Sequence, residues 1–151
     1  MNVVAPYLLT ALVRRPARLI YLSSGMHHGG RPDVRGRDWA GRRATASYWD
    51  SKLFVTALTF AVARLWPGVS VNAVGPGWVP TKMGGPGAPD DLREGHRTQD
   101  WLATSDDPRA RTAGGYWYHE QSREPRAAAR DERFQDELLS ELASFTGTRL
   151  A

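Results

Sequence analysis

Hydrophobic positions along the chain fall into blocks, and stretches rich in Gly, Pro and charged residues separate these blocks. The longest block, Ala46–Trp66, has helical spacing and predicts one long amphipathic helix. Two short blocks with β-branched and aromatic residues, Arg18–Ser24 and Val69–Val74, predict buried strands. A third strand is expected at Tyr116–His119, where an aromatic run follows two glycines.

Three further blocks predict helices. Val3–Val13 accommodates Pro6 in its first turn, a second helix runs from an Asp90-Asp91 cap to about Thr104, and Asp131–Phe145 is amphipathic. The inward face of the last helix is expected to contain Phe134, Leu138, Leu139, Leu142 and Phe145. Because helices and strands alternate, we predict an α/β fold with a parallel sheet and crossover helices.

Two long loops follow the predicted strands. Gly25–Thr45 is expected to be exposed, and Gly75–Gly87 is too rich in Gly and Pro to be regular. In parallel sheets, ligands bind beyond the carboxyl ends of the strands, so we expect both loops at a functional edge. The segment Lys82–Leu92 is a candidate substrate lid, and Trp78 could contact substrate or cofactor there.

Composition narrows the classes of function. The 151 residues fit one domain (1–151), and the absence of Cys excludes disulfides, thiolate metal sites and Cys nucleophiles. The net charge of +4 comes from arginines scattered among acidic residues, which argues against a nucleic-acid partner. No apolar run is long enough to span a membrane and no signal-peptide pattern is present, so we predict a cytoplasmic protein.

Tyr48 and Lys52 are four residues apart at the start of the long predicted helix, so their side chains share one helix face. A nearby positive charge favours the phenolate and lowers the pKa of a tyrosine from its usual ~10, which suits proton transfer near neutral pH. The same spacing also occurs on solvated helix faces. The pair therefore predicts a site only together with other segments of the chain.

A small metal hydrolase is a weaker alternative. It would use the histidines, but adjacent His27 and His28 cannot point the same way on a regular element, and no carboxylate lies at ligand spacing on a helix. The four histidines in question are His27, His28, His96 and His119. We therefore expect no metal site.

Taken in order, four segments resemble the short-chain dehydrogenase/reductase family: N-V-V-A-P-Y-L-L-T, R-L-I-Y-L-S-S, Y-W-D-S-K and V-N-A-V-G-P-G-W-V-P-T. The long loop, with S-S-G-M-H-H followed by R-D-W-A-G, resembles the retinol-dehydrogenase-like branch. The resemblance implies an NAD(P)-dependent oxidoreductase that interconverts an alcohol and a carbonyl. It also implies the C-terminal half of a Rossmann-like doubly wound parallel sheet.

The resemblance assigns roles to individual residues. Tyr48 would be the acid/base, Lys52 would lower the pKa of Tyr48 and bind the nicotinamide ribose, and Ser24 would polarise the substrate oxygen. Asn2 would organise a water and lysine relay and contribute to cofactor binding. The nicotinamide and pyrophosphate side of NAD or NADP would be lined by Pro76, Gly77, Val79 and Thr81. The long loop and Trp78 suggest a bulky or lipophilic alcohol or carbonyl substrate.

The family's first strand, its glycine-rich phosphate turn and the helix after it have no counterpart here. We therefore expect a truncated oxidoreductase, and one hypothesis is that Met1 is an internal residue of a longer chain. The strand at Arg18–Ser24 would then have an open edge, and dinucleotide affinity would be weak. The alternative is a catalytically inactive remnant that acts as a dimerisation module, with homo-oligomers formed through Val3–Val13 and Ala46–Trp66.

Overall fold

The computed structural model describes residues 2–150, so the hypothesis about Met1 lies outside the described residues. The fold is α/β, as predicted, with four α-helices and four strands in this part of the chain. The helices are α1 (Val4–Leu12), α2 (Tyr48–Leu65), α3 (Glu94–Thr104) and α4 (Glu132–Thr146), and the strands are β1 (Arg18–Leu22), β2 (Ser70–Val74), β3 (Gly115–Tyr118) and β4 (Gln121–Arg123).

The four strands form one sheet in the order β1-β2-β3-β4. β1, β2 and β3 are parallel, which confirms the predicted parallel sheet, and β4 is antiparallel to β3. The β4 strand was not predicted, because Gln121–Arg123 is polar and exposed. The hairpin turn before it places His119 and Glu120 at φ of 48° and 57°. Asn-Gly or Asp-Gly in the sequence would have indicated such a turn, whereas His-Glu does not.

α2 is the central element of the core. Every residue from Leu53 to Val62 is buried, so the expectation of an amphipathic helix is wrong for its middle turns. α2 packs between the sheet and α4 and has apolar residues on all sides, as fully buried helices do. Its buried hydroxyls donate to the carbonyl four residues earlier: Thr56 to Lys52 at 2.7 Å and Thr59 to Val55 at 2.9 Å.

Two helix predictions need correction. α3 begins at Glu94, because Asp91 caps the preceding turn: its Oδ1 accepts from the Arg93 N–H at 2.8 Å. On α4, Phe134, Leu138 and Leu142 are buried as predicted. Phe145 is 46% exposed, however, because the helix has by then reached the edge of the core.

The loop after β1 is less exposed than predicted. It begins with a 3-10 turn at Gly25–Gly29, which packs against α2. His27 and Val34 are 0% and 2% exposed, so the loop contributes to the core. Within residues 2–150, no helix combines the length and apolar character needed to cross a bilayer.

Candidate functional site

The two predicted functional loops leave the sheet at the same edge. β1 and β2 end in register, with Leu22 opposite Val74. Beyond these ends the Ser23 N–H donates to the carbonyl of Val74 at 2.7 Å. A Cβ placed on Gly75 would lie 3.6 Å from the backbone nitrogen of Gly25, so the two loops are in contact as they begin. The carboxyl edge is therefore where the candidate chemistry is concentrated.

A capping box fixes the start of α2. The Ser47 hydroxyl accepts from the Asp50 N–H at 3.0 Å, and the Asp50 carboxylate accepts from the Ser47 N–H at 3.0 Å. Tyr48 is consequently the first residue of the helix, two residues later than predicted for the helix start. This start places Tyr48 and Lys52 one turn apart on the half of α2 that faces the carboxyl edge.

The Lys52 ammonium lies between Tyr48 and β1. Its Nζ is 5.5 Å from the centre of the Tyr48 ring and donates to the carbonyl of Leu22 at 2.9 Å. Desolvation by the surrounding residues lowers the pKa of Lys52. Tyr48 is 41% exposed, so its phenol can meet a ligand from solvent. The structure thus brings the two predicted residues together and leaves one of them accessible.

Ser24 is half-buried and caps the 3-10 turn that follows β1. Its hydroxyl oxygen accepts from the Met26 N–H at 3.2 Å. Within the described chain, no residue accepts the hydroxyl proton of Ser24. The hydroxyl therefore remains able to donate to a ligand oxygen.

Asn2 meets α2 on the turn that contains Lys52. Its Nδ2 donates to the Ser51 hydroxyl at 3.4 Å, and that hydroxyl donates to the carbonyl of Tyr48 at 2.7 Å. Asn2 reaches the site through Ser51, not by contact with the Tyr48 or Lys52 side chain. A cavity of about 420 Å³ on this side of Tyr48 is lined by Asn2, Trp39, Thr45, Ser51 and Phe54 among others.

The predicted cofactor loop divides into two parts. Pro76 and Gly77 follow the carboxyl end of β2, and Gly77 has φ of 91°. Val79 and Thr81 lie further along the loop. Val79 packs against Gly95 of α3, where an added Cβ would be 3.2 Å from Val79 Cγ2, and Thr81 is exposed. Pro76 and Gly77 are thus the members of this set that adjoin the strand ends.

Asp90 is a residue whose role the sequence did not reveal. It was predicted as a helix cap, but its Oδ2 accepts from the Trp78 N–H at 2.6 Å and its own N–H donates to the Trp78 carbonyl at 3.1 Å. Tyr118 reaches the same carboxylate at 3.5 Å. These contacts close the neck of the loop that contains the candidate lid, Lys82–Leu92, whose Met83 is 88% exposed. A lid movement stays a prediction.

Asp50 is a second such residue. It is 1% exposed, and besides Ser47 it accepts from the Arg31 N–H at 2.8 Å. The guanidinium groups of Arg31 and Arg37 each lie 3.4 Å from its Oδ2. Asp50 therefore holds both ends of the segment 31–47 on the first turn of α2. An acidic residue in a first helical turn is common, so nothing in the sequence distinguished it.

The histidines do not converge. His27 is buried with both ring nitrogens in hydrogen bonds, and His96 pairs with Asp100 at 2.9 Å. Among residues 2–150, no group of three or more His, Asp or Glu side chains is arranged to hold a metal ion. The metal-hydrolase alternative receives no support from this arrangement.

The short-chain dehydrogenase chyC of Penicillium rubens is 34% identical over 155 aligned residues, which cover 99% of this chain and 60% of that protein. The short-chain dehydrogenase chry4 of Gibberella zeae is 32% identical with the same coverage. This chain is therefore similar over nearly its whole length to proteins named short-chain dehydrogenases. An uncharacterised oxidoreductase of Emericella nidulans is 34% identical over 92% of this chain. The family resemblance inferred from the four segments is confirmed; the retinol-dehydrogenase-like branch stays a prediction.

The chain spans about 60% of the length of these dehydrogenases. A crystal structure of an uncharacterised protein from Mycobacterium paratuberculosis superimposes with a TM-score of 0.76 at 21% identity, covering 99% of this chain and 58% of that one. This match supports the fold alone. No protein-family profile matches the chain.

Proposed function

We propose that this chain forms the proton-transfer part of an NAD(P)-dependent oxidoreductase that interconverts an alcohol and a carbonyl. The observation that supports it best is the placement of the Lys52 ammonium. It lies 5.5 Å from the centre of the Tyr48 ring and donates a hydrogen bond to the carbonyl of Leu22 at the end of β1. Ser24 and the Gly75–Gly77 turn leave the sheet at the same edge. Similarity to curated proteins named short-chain dehydrogenases agrees with this chemistry.

In this proposal Tyr48 exchanges the proton of the substrate oxygen. Lys52, held by its hydrogen bond to the Leu22 carbonyl, places a positive charge beside Tyr48, and the Ser24 hydroxyl donates to the substrate oxygen as negative charge develops on it. Asn2 orients Ser51 on the turn that contains Lys52. A bound nicotinamide would supply or accept the hydride.

The described residues fit one end of a dinucleotide better than the other. Lys52 and the Pro76-Gly77 turn, where Gly77 has no room for a Cβ because Asp90 Oδ2 would be 2.6 Å away, suit the nicotinamide ribose. The pyrophosphate end prefers a helix N-terminus without acidic side chains. α2, α3 and α4 each have an acidic residue in the first turn, namely Asp50, Glu94 and Glu132. The first turns of α2, α3 and α4 therefore offer no phosphate cradle, whereas α1 has no acidic residue in its first turn.

Titration with NADH and NADPH, followed by tryptophan fluorescence and thermal stability, tests cofactor binding. Turnover with a panel of lipophilic alcohols and carbonyl compounds then tests the chemistry. Tyr48→Phe should lower turnover by about 10²–10⁴-fold, because it removes the proton donor and leaves the ring in place. Tyr7→Phe is the matched control, since it removes a phenol that donates to the Thr148 carbonyl, on a different part of the chain. Equal turnover in the two variants would refute the role of Tyr48.

The alternative function, a non-catalytic interaction module, is supported by one surface. Leu9 and Leu12 of α1 and the next residue, Val13, are 70%, 74% and 50% exposed, and β1 is an edge strand of the described sheet. The middle of α2 is covered by α4, so an interface between copies would use α1. If this alternative holds, Leu12→Glu abolishes self-association in sedimentation velocity whereas Tyr48→Phe leaves it unchanged.

A further inference from the structure

We propose that His27 is a positioning residue, which holds Ser24 in place through its ring Nδ1. This inference rests on the proposed function, in which Ser24 donates to the substrate oxygen. His27 lies three residues after Ser24 and is 0% exposed. Because its ring is buried and bonded to the Ser24 carbonyl, it acts on the site through Ser24.

The hydrogen bonds of His27 define its tautomer. Nδ1 lies 2.6 Å from the carbonyl oxygen of Ser24, which can only accept, so this nitrogen must bear the proton. Nε2 lies 3.1 Å from the backbone nitrogen of Arg126, which can only donate, so this nitrogen must be unprotonated. A neutral ring with the proton on Nδ1 satisfies both partners. The protonated ring would lose the bond from Arg126.

The surroundings keep the ring neutral. Its centroid is 4.6 Å from that of Tyr116 and 4.1 Å from that of His28. Desolvation and the nearby charges of His28 and Arg126 lower the pKa of His27 to about 4, although the hydrogen bond to Ser24 acts to raise it. At neutral pH the ring therefore bridges the loop after β1 to the segment that precedes α4.

Hydrogen bonds hold both the carbonyl and the hydroxyl oxygen of Ser24. The Ser24 carbonyl accepts from the His27 ring and also from the His27 backbone N–H at 3.1 Å. The Ser24 hydroxyl oxygen accepts from the Met26 N–H at 3.2 Å. With the backbone held and the hydroxyl oxygen already accepting from Met26, the hydroxyl proton remains available to donate to a ligand oxygen. A donor fixed in this way stabilises a developing oxyanion without rearrangement.

The tautomer is the first test. In the wild-type chain, long-range ¹H–¹⁵N correlation spectra at pH 7 should show the buried His27 with its proton on Nδ1, in addition to the exposed His96, whose Nδ1 lies 2.9 Å from Asp100 Oδ2. The His27 resonance should disappear in His27→Asn and remain in His28→Asn. A His27 ring that is protonated on Nε2, or doubly protonated at pH 7, would overturn the proposal.

Two variants separate positioning from packing. His27→Asn places an amide N–H near the position of Nδ1 and can still donate to Ser24, whereas His27→Gln places an oxygen near the position of Nε2 and can still accept from Arg126. Solvent-exchange NMR then reports on the amides of Met26 and Arg126. We expect exchange at Met26 to rise about tenfold in His27→Gln and little in His27→Asn, with the reverse at Arg126.

The exposed neighbour His28 provides the control, and His28→Asn should change neither amide. Equal acceleration of both amides in both variants would mean that the ring acts only by packing, and this would refute the proposal. Because these measurements need no turnover, they are independent of the proposed reaction. If Tyr48→Phe had no effect on turnover while the amide pattern held, the proposed function would fail and the role of His27 would stand.

Discussion

Replacement of Asp50 by Ala should destabilise the chain by about 3–5 kcal/mol, the usual cost of removing one partner of a buried ion pair. Asp50 is 1% exposed, and the side chain of its partner Arg37 is 7% exposed. The variant leaves that guanidinium without its carboxylate and also leaves the N–H groups of Arg31 and Ser47 without an acceptor. Arg31 itself contributes little, because its side chain is 72% exposed.

The lowered pKa of Asp50 also indicates that its carboxylate stabilises the fold. Desolvation acts to raise it, but hydrogen bonds from the backbone of Arg31 and Ser47 and the charge of Arg37 outweigh that effect and hold it below the ordinary value. A carboxylate with a lowered pKa stabilises the fold above its unfolded pKa, and this stabilisation is lost as the pH falls through its folded pKa. The difference between wild type and Asp50→Ala should therefore shrink in acid.

Urea unfolding followed by circular dichroism measures the global effect. Trypsin measures the local one, because the segment held by Asp50 contains four cleavable arginines, namely Arg35, Arg37, Arg42 and Arg43; Arg31 precedes Pro32 and is not a cleavage site. Asp50→Asn keeps one of the two acceptor oxygens and loses the other together with the charge, so it should cost about 1–3 kcal/mol. Asp106→Asn is the matched control, since this aspartate is 88% exposed and pairs with an exposed Arg111. It should change stability by less than about 0.5 kcal/mol.

The reasoning fails if Asp50→Ala and Asp106→Asn unfold at the same urea concentration and trypsin cleaves both variants equally slowly after the arginines between residues 35 and 43. It also fails if Arg37→Met costs the same in the wild-type and Asp50→Ala backgrounds. The changes in the free energy of unfolding add for substitutions at independent residues, whereas they do not add for the two members of a buried ion pair.

Three other changes have definite expectations. Lowering the pH from about 6.5 to 4 should remove about 3 kcal/mol from the free energy of unfolding, because the buried His27 has a pKa of about 4 whereas an ordinary histidine has 6.5. Unfolding curves of the wild type and of His27→Phe across this pH range measure the effect. Asn72→Leu should cost about 2–4 kcal/mol in urea unfolding, since the Asn72 amide accepts from the Trp117 indole at 3.1 Å and makes two backbone bonds besides. Gly77→Ala should lower the melting temperature more than Gly85→Ala; both have positive φ, but an added Cβ meets a carboxylate oxygen at 2.6 Å only at Gly77.

Local patterns were sufficient for the order of the four helices and the first three strands, and for the edge at which the two long loops leave the sheet. The spacing of Tyr48 and Lys52 and the run Val69–Val74 depend on neighbours in sequence, and the structure places them as expected. The roles of Asp50 and Asp90 depend on partners that the chain brings together only after folding. The burial of α2 on all sides was missed for a similar reason, because Thr56 and Thr59 resemble a polar face until their bonds to the helix carbonyls are known.

Lys52 links the two proposed functions. Its ammonium faces Tyr48 and at the same time donates to the Leu22 carbonyl, at the end of a strand that is an edge in the described sheet. Leu22 is 53% exposed, so a chain that pairs with β1 would pack beside it. Such pairing would change the position and solvation of Lys52, and through Lys52 it would change the proton chemistry of Tyr48. Association at this edge and turnover at Tyr48 should therefore vary together, and a variant that blocks pairing without touching Lys52 would reveal that coupling.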